Sequence, residues 1–254
     1  MIRVGVFGAG GRMGSTVCAA VADAPDMELV AAVDPAHAGE RTGSVTIAEG
    51  PQAILDSKAD VAVDFTQPDV VMDDIRWAIS NGIHIVVGTT GITEQDFEEI
   101  RGLAQGKDSN VFVAPNFAIG ALLAQRLAAQ AAAHFPAVEI IELHHDGKAD
   151  APSGTSLAAA RAIAEKRRDE YRGPEKESLE GARGGDAEGI RIHSVRLPGL
   201  VAHQEIILGG PGQTLSIRHD SMDRTSFMPG VLMAIDAVRD RPGLTVGLDA
   251  LLEE

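Results

Sequence analysis

The chain has 254 residues, 44% of them hydrophobic, and 22 Lys+Arg against 37 Asp+Glu give a formal net charge of −15. That length supports one large or two modest domains, each with its own core. So acidic a surface repels nucleic acid and anionic membranes, so neither is an expected partner, and no apolar stretch approaches the roughly 20 residues of a membrane span.

The apolar run from Met1 to Phe7 is short and leads into glycines, so it does not read as a signal peptide; the expected compartment is the cytoplasm. With 4% aromatic residues the core rests on Val, Ile, Leu and Ala, and the single cysteine, Cys18, reads as a packed small hydrophobe. The first half then alternates strands and helices. Ile2–Phe7, Leu29–Val33, Val61–Phe65, His84–Val87 and Val111–Ala114 are short apolar runs; Met13–Ala22, Pro68–Ser80 and Glu94–Leu103 carry helical patterns between them. This alternation predicts an α/β fold with a Rossmann-like doubly wound parallel sheet.

The loop Gly8-Ala9-Gly10-Gly11-Arg12-Met13-Gly14 follows the first strand and opens the first helix. Its spacing is a G-x-x-G-x-x-G variant, and glycines there permit a tight turn and let backbone approach a pyrophosphate at the helix start. Asp34 ends the second strand twenty positions after Gly14, where an acid accepts from the adenosine ribose. A carboxylate at that place favours NADH over NADPH, although Arg12, His37 and Arg41 are within reach of a 2′-phosphate. Gly88-Thr89-Thr90-Gly91 and Ala114-Pro115-Asn116-Phe117 fall where the carboxyl ends of later strands should lie, as walls of a nicotinamide pocket. Either loop alone reads more simply as a plain turn.

After Asn116 the pattern changes. A helix over Ile119–Ala133 and a strand over Val138–Leu143 lead to Glu142-Leu143-His144-His145-Asp146-Gly147-Lys148-Ala149-Asp150-Ala151-Pro152-Ser153-Gly154-Thr155. Ser153 and Thr155 suit an N-cap for the alanine-rich helix over Leu157–Ala164, and a helix start binds carboxylate or phosphate through free N–H groups. Lys148 adds a full charge, and His144 can carry a proton near neutral pH. The element reads as a site for an anionic substrate with an acid–base residue beside it; a packed histidine pair without catalysis is the plainer alternative. Metal binding by His144, His145 and Asp146 is disfavoured, because strand neighbours face opposite ways and Lys148 repels a cation.

The charged segment 165–189 reads as a solvated surface loop with no role of its own. Strands over Ile190–Leu197, His203–Leu208 and Thr214–His219 then suggest a second, α+β domain with a mixed or antiparallel sheet. Ile190, Ile192 and Val195 against Arg191, His193 and Arg196 suggest a sheet face available for association, or equally a solvated one. A helix over Phe227–Val238 returns to the first domain, giving 1–117 plus 229–254 for the dinucleotide and 118–228 for substrate and oligomerisation.

Taken together, the Gly8–Gly14 loop, Asp64-Phe65-Thr66, Gly88-Thr89-Thr90-Gly91, Ala114-Pro115-Asn116-Phe117 and the His144–Thr155 element resemble the 4-hydroxy-tetrahydrodipicolinate reductase family, formerly dihydrodipicolinate reductase. The resemblance spans essentially the whole chain, and Asn116–Gly120 with Arg218–Ser221 is closest to the actinobacterial branch. It implies NADH or NADPH as hydride donor, a cyclic imine dicarboxylate as substrate, a place in lysine and diaminopimelate synthesis, and a homotetramer built through the substrate-domain sheets. It also implies His144 as acid–base residue, Lys148 as proton donor or orienting group, and His145, Ser153, Gly154 and Thr155 as substrate ligands. Gly8, Ala9, Gly10, Gly11, Arg12, Met13, Asp34, Gly88, Thr89, Thr90, Ala114, Pro115, Asn116 and Phe117 match cofactor positions. The chain departs from the family at Asp146-Gly147, where members often carry more basic residues. A related dehydrogenase of a small amino-acid precursor would keep the glycine loop without needing Ser153-Gly154-Thr155. A non-catalytic NAD(H) sensor acting on DNA would call for a basic face, against the −15 charge.

Overall fold

Short runs of Val, Ile and Ala form strands buried on both faces when helices cover each side, and the chain uses that arrangement first. The computed structural model describes residues 1–168, 171, 173 and 176–252. Two units result, one of Met1–Phe117 with the segment from Phe227 onward, the other of Ala118–Ser226. In chain order the first unit holds β1 (Ile2–Phe7), α1 (Arg12–Asp23), β2 (Met27–Val33), β3 (Arg41–Thr42), β4 (Val45–Ala48), α2 (Gln52–Asp56), β5 (Val61–Asp64), α3 (Val71–Ser80), β6 (His84–Val87), α4 (Glu94–Ala104) and β7 (Val111–Val113). The second holds α5 (Ile119–Ala132), β8 (Ala137–His144), α6 (Gly154–Lys166), β9 (Gly185–Ala187), β10 (Ile190–Arg196), β11 (Ala202–Gly210) and β12 (Gln213–Ser221). The chain then rejoins the first unit with α7 (Met228–Ala237) and β13 (Leu244–Val246).

The first sheet has the order β13-β7-β6-β5-β1-β2-β4-β3, parallel except where β3 runs against β4. This is the expected Rossmann-like doubly wound sheet. The chain winds outward from β1 to β4, then crosses back to β5 and winds the other way, so the switch point lies between β1 and β5. Open α/β sheets bind ligands outside the carboxyl ends at such a point. Phe7 packs edge-on against Trp77 of α3 at 5.8 Å, and Ile54, Ile75, Ile85 and Ile100 are fully buried around it. Cys18 is buried, and burial pushes its thiol up to about 11, so it behaves as the packed hydrophobe its position suggests.

The second sheet, β12-β11-β8-β10-β9, is mixed: β8 runs parallel to β10 and antiparallel to β11. One face carries Val138, Ile140, Ile190, Ile192, Ile206 and Leu208 against alanines of α5 and α6, notably Ala128, Ala132, Ala159 and Ala160. Small residues let both helices lie close to the strands. The expected alternation in β10 needs correction here. Ile190 and Ile192 face this buried core, whereas Val195 shares the opposite face with Arg191 and His193, because side chains alternate strictly along a strand. The isoleucines are therefore not a surface for association. The described residues of the segment 165–189 are mostly exposed, and two features tie it locally. Its end forms β9, and Glu177 accepts from the Gly181 and Arg183 amides. Residues 169, 170, 172, 174 and 175 of that segment lie outside the described residues. Among the described residues, no helix is long and apolar enough to cross a membrane.

Asn110 fastens the returning segment to the sheet. Its amide donates to the Val238 and Arg239 carbonyls at 2.9 and 3.1 Å, and its Oδ1 accepts from Gly243 N at 3.2 Å. Asn110 is 5% exposed, so Ala in its place strands buried polar groups. Asn110→Ala should cost about 3 kcal/mol, read as a lower urea midpoint for the first unit; an unchanged midpoint would refute the fastening role.

Candidate active site

The glycine loop closes on itself for steric reasons that the sequence pattern anticipates. Gly8 sits at φ +70°, in the left-handed region, and a side chain there would strike the Phe65 carbonyl. A side chain at Gly14 would strike the Gly8 carbonyl, and one at Gly10 the ring of His37. Gly11 is the N-cap of α1 and offers no side chain, so the N–H groups of that first turn carry no side-chain cap. Arg12 is exposed beside them and Met13 half-buried. A cradle this bare, at a helix start beside the switch point, fits a dinucleotide pyrophosphate.

Asp34 joins the end of β2 to that loop. Its Oδ2 accepts from Gly10 N and its Oδ1 from Ala36 N, both at 3.0 Å, with His37 Nδ1 at 3.2 Å from Oδ1. Burial alone would raise its carboxyl, but the donors from His37, Ala36 and Gly10 outweigh burial and hold it below the usual range. Asp34 is therefore a carboxylate at neutral pH.

The two later loops meet at the end of β5, at residues with no assigned role in the sequence reading. Asp64 is fully buried and accepts from Thr89 Oγ1 at 2.5 Å and from Thr66 Oγ1 at 3.1 Å. Thr66 N donates to Thr89 Oγ1 at 2.7 Å. The Thr89 hydroxyl is thus committed inward; Thr90, beside it, is exposed. The Phe65 ring lies where a side chain at Gly88 would be, and sits 6.0 Å from Phe117. Ala114 and Phe117 are buried, Pro115 is exposed and Asn116 half-buried. The fully buried acid closing an apolar strand, followed by Thr66, was the available signal for this hub.

In the second unit, the core face of β8 runs Val138, Ile140, Glu142, His144, so the apolar stripe ends in an acid and an imidazole. Glu142 is fully buried. Arg196, at the facing end of β10, grips both its oxygens at 2.8 and 2.9 Å, and His144 Nδ1 hydrogen-bonds to it. Burial would raise the Glu142 carboxyl, but donors from Arg196, Ser194 and His144 prevail and hold it below its usual range. Burial depresses His144, with Lys148 and Arg196 adding to it and Glu142 opposing. His144 is therefore neutral at neutral pH, donating Nδ1–H to Glu142 and keeping a lone pair on Nε2. Glu142 and Arg196 were missed from sequence, although an acid in line with buried Val138 and Ile140 is itself the sign of a paired charge.

Lys148 forms an ion pair with Asp150 at 2.7 Å. Ser153 caps α6 by accepting from Ser156 N at 3.2 Å, and Ser156 Oγ donates to Gln204 Oε1 at 2.6 Å. The helix starts at Gly154 rather than Leu157, so Thr155 lies in its first turn and is not the cap. A side chain added at Gly154 would meet nothing within 4 Å. His145 and Asp146 are exposed, the former beside Gly147. The second unit thus brings His144, Glu142 and Arg196 together, and the helix start carries Ser153, Gly154 and Thr155 in one turn.

A bare glycine cradle joined to the acid that ends β2, and a second unit holding a neutral histidine, a lysine and an open helix start, are the parts expected of an NAD(P)H-dependent oxidoreductase. Residues 2–117 match the family model described as dihydrodipicolinate reductase, N-terminus, and residues 120–252 the one described as dihydrodipicolinate reductase, C-terminus. The chain belongs to the dihydrodipicolinate reductase family. It is similar to the 4-hydroxy-tetrahydrodipicolinate reductase of Nocardia farcinica, with 52% identity over 257 residues and 99% of each chain covered. The enzyme of the same name from Mycolicibacterium gilvum is 50% identical over 255 residues, again with 99% of each covered. Among solved structures it resembles a dipicolinate-bound dihydrodipicolinate reductase from Paenisporosarcina sp. TG-14, with a TM-score of 0.88 and 43% identity, covering 98% of this chain and 99% of that one.

The histidine geometry has a direct spectroscopic consequence. In a nitrogen-15 titration, His144 should show the Nδ1–H tautomer at pH 7 and a midpoint below the ordinary 6.5. A midpoint at or above 6.5 would contradict the arrangement. Because the folded-state value is depressed, the unfolded chain binds this proton more readily, so His144 subtracts stability as pH falls below about 6.5.

Proposed function

We propose that the chain reduces 4-hydroxy-tetrahydrodipicolinate to tetrahydrodipicolinate with loss of water, in lysine and diaminopimelate synthesis. The second unit's site carries the reading: a neutral imidazole held by a buried carboxylate, near a lysine, with an open glycine at a helix start. The substrate is a cyclic imine bearing two carboxylates and a hydroxyl, and the dipicolinate bound to the Paenisporosarcina relative is likewise a dicarboxylate.

Each residue has work suited to its surroundings. Ser153, Gly154 and Thr155 hold one substrate carboxylate through first-turn N–H groups and the Thr155 hydroxyl, while His145 reaches the substrate from the exposed loop. A nicotinamide held by the first unit's loops would supply the hydride that adds to the conjugated carbon of the substrate. As negative charge moves toward the ring nitrogen, Lys148 supplies the balancing proton and positive field, and Asp150 keeps its ammonium in place. His144, neutral and with a free Nε2 lone pair, takes the proton from the carbon beside the one bearing the hydroxyl and delivers it to the departing hydroxyl oxygen, so that a C–H and a C–O bond break, the ring double bond forms, water leaves and the imidazole ends neutral. Glu142 fixes its tautomer. On the first unit, the Gly8–Met13 loop takes the pyrophosphate, Asp34 the ribose, and Gly88, Thr89, Thr90 and Ala114–Phe117 the nicotinamide end, Thr89 through its backbone.

NADH is the preferred donor on this reading. Asp34 remains ionised, and a carboxylate where a 2′-phosphate would arrive repels it. The protein works in the cytoplasm as a homotetramer. Its contact is the outer face of the second sheet, where Ile141, Leu143, Val195 and Ile207 are half-buried within the single chain.

A coupled assay tests the reaction: pyruvate and aspartate semialdehyde, a purified synthase to condense them, then this protein with NADH or NADPH. Cofactor oxidation should require both proteins and run with a higher kcat/KM for NADH; bound NADH without turnover would reject the reading. Gly154→Ala isolates the substrate site, because the added methyl meets no protein atom and alanine suits a helix start. It should raise the substrate KM by about tenfold or more, roughly the loss of one charge-assisted hydrogen bond, and leave the Tm unchanged. An unaltered KM would remove the helix start from the substrate site.

A further inference from the structure

Asp64 is a fully buried carboxyl group whose described partners are all hydroxyls, amides or another acid, and none of them is a cation. An isolated charge in that position is costly, so its environment must supply a proton or a counter-charge. The group facing it is Asp74, in the first turn of α3; the two carboxyls act on each other side chain to side chain, and the Oδ2 of Asp74 is buried with no hydrogen-bond donor of its own. The remaining charge acting on Asp74 is Asp73 on its own helix, also negative. Arg76, one turn on, is engaged by Asp73 and by Glu99 of α4. Two carboxyls that meet out of water cannot both ionise.

We propose that Asp64 and Asp74 share one proton, and that this shared proton is what holds the Phe65–Thr66 and Gly88–Thr90 loops together for the nicotinamide cofactor. The inference rests on the reductase reading of those loops. The mechanics follow from the hydrogen bonds. Asp64 accepts from both Thr66 and Thr89, and Thr66 N is fixed to the Thr89 hydroxyl. A second negative charge on Asp74 pushes the end of β5, which carries Asp64, away from the start of α3, which packs on β5 and β6. Once Asp64 moves, Thr66 and Thr89 lose their common anchor. Phe65 then leaves the space above Gly88 and its place against Phe117. Asp64 and Asp74 touch neither cofactor nor substrate; they are positioning residues. Burial first, then the Asp64 contact, pushes the Asp74 carboxyl up to about 8, so the proton is present at neutral pH and lost under mildly alkaline conditions.

The sign is fixed by the raised value. An acid whose folded pKa lies above its unfolded one stabilises the fold at low pH, and that contribution is lost as pH rises from about 4 through about 8. Cofactor affinity should follow the upper end of the same curve. NADH dissociation constants measured by fluorescence on the intact protein should rise about tenfold between pH 7 and pH 9, because the competent fraction falls by that factor. Asp74→Asn, which supplies a neutral donor at every pH, should flatten that dependence. Parallel curves for the two proteins would overturn the proposal, as would a flat curve for the native chain, while tight binding at pH 7 keeps the reductase reading intact in either case. If Asp74→Asn fails to fold, carboxyl-carbon NMR on the native protein decides. Saturating NADH should raise the midpoint of the pair by linkage, and an unmoved midpoint would refute the shared proton's role. Failure to bind NADH at any pH would instead bring down the reductase reading, and the proposal with it.

Discussion

A carboxylate cannot be taken out of water alone, and this chain puts one at the carboxyl end of three strands. Asp34 closes β2, Asp64 closes β5, and Glu142 sits two residues from the end of β8. Each is satisfied differently: Asp34 by two backbone amides and His37, Asp64 by threonines and a neighbouring acid, Glu142 by a bidentate arginine. In each case the partner lies on a loop or strand that the site needs in place. Satisfying the charge and building the site are the same act.

Magnitudes separate these from the other ion pairs. Arg101–Glu98 and Arg3–Glu28 are exposed, and such pairs contribute on the order of 0–1 kcal/mol. Removing one partner of a buried pair such as Glu142–Arg196 costs about 3–5 kcal/mol, most of it from the charge left behind. The pair also sets chemistry, since it decides which nitrogen of His144 carries hydrogen. The chain is acidic as a whole, yet Lys148 and Arg196 both belong to this one end of the second sheet. Each of the two is held there by an acid, Lys148 by Asp150 and Arg196 by Glu142.

Five strands of the first sheet, β1, β2, β5, β6 and β7, were legible because each is a short apolar run, closed in all but β7 by a glycine or an acid, and His84–Val87 is found to the residue. β3, β4, α2, β9 and β13 were not: elements of two to five residues carry too little periodicity to stand out. The glycine loop and Asp34 could be read from spacing, because backbone geometry demands those residue types there. The partners of His144 could not, since Arg196 is brought to Glu142 by a pairing of strands more than fifty residues apart. Asp74 was hidden for a similar reason. On a helix wheel it is one more acid in a first turn, and only packing sets it against Asp64.

The return of the chain through β13 sets an order of events during synthesis. β7 is complete at Val113, but the strand that covers its outer edge begins at Leu244, roughly 130 residues later. At usual ribosomal speeds that interval is on the order of ten seconds. The intervening second unit is one continuous stretch, so it is fully made while the first still shows an open edge. Open edges recruit other strands, and length governs the hazard. β7 offers three residues. A nascent chain with so short a template waits for its own last strand with little for a neighbouring chain to grasp.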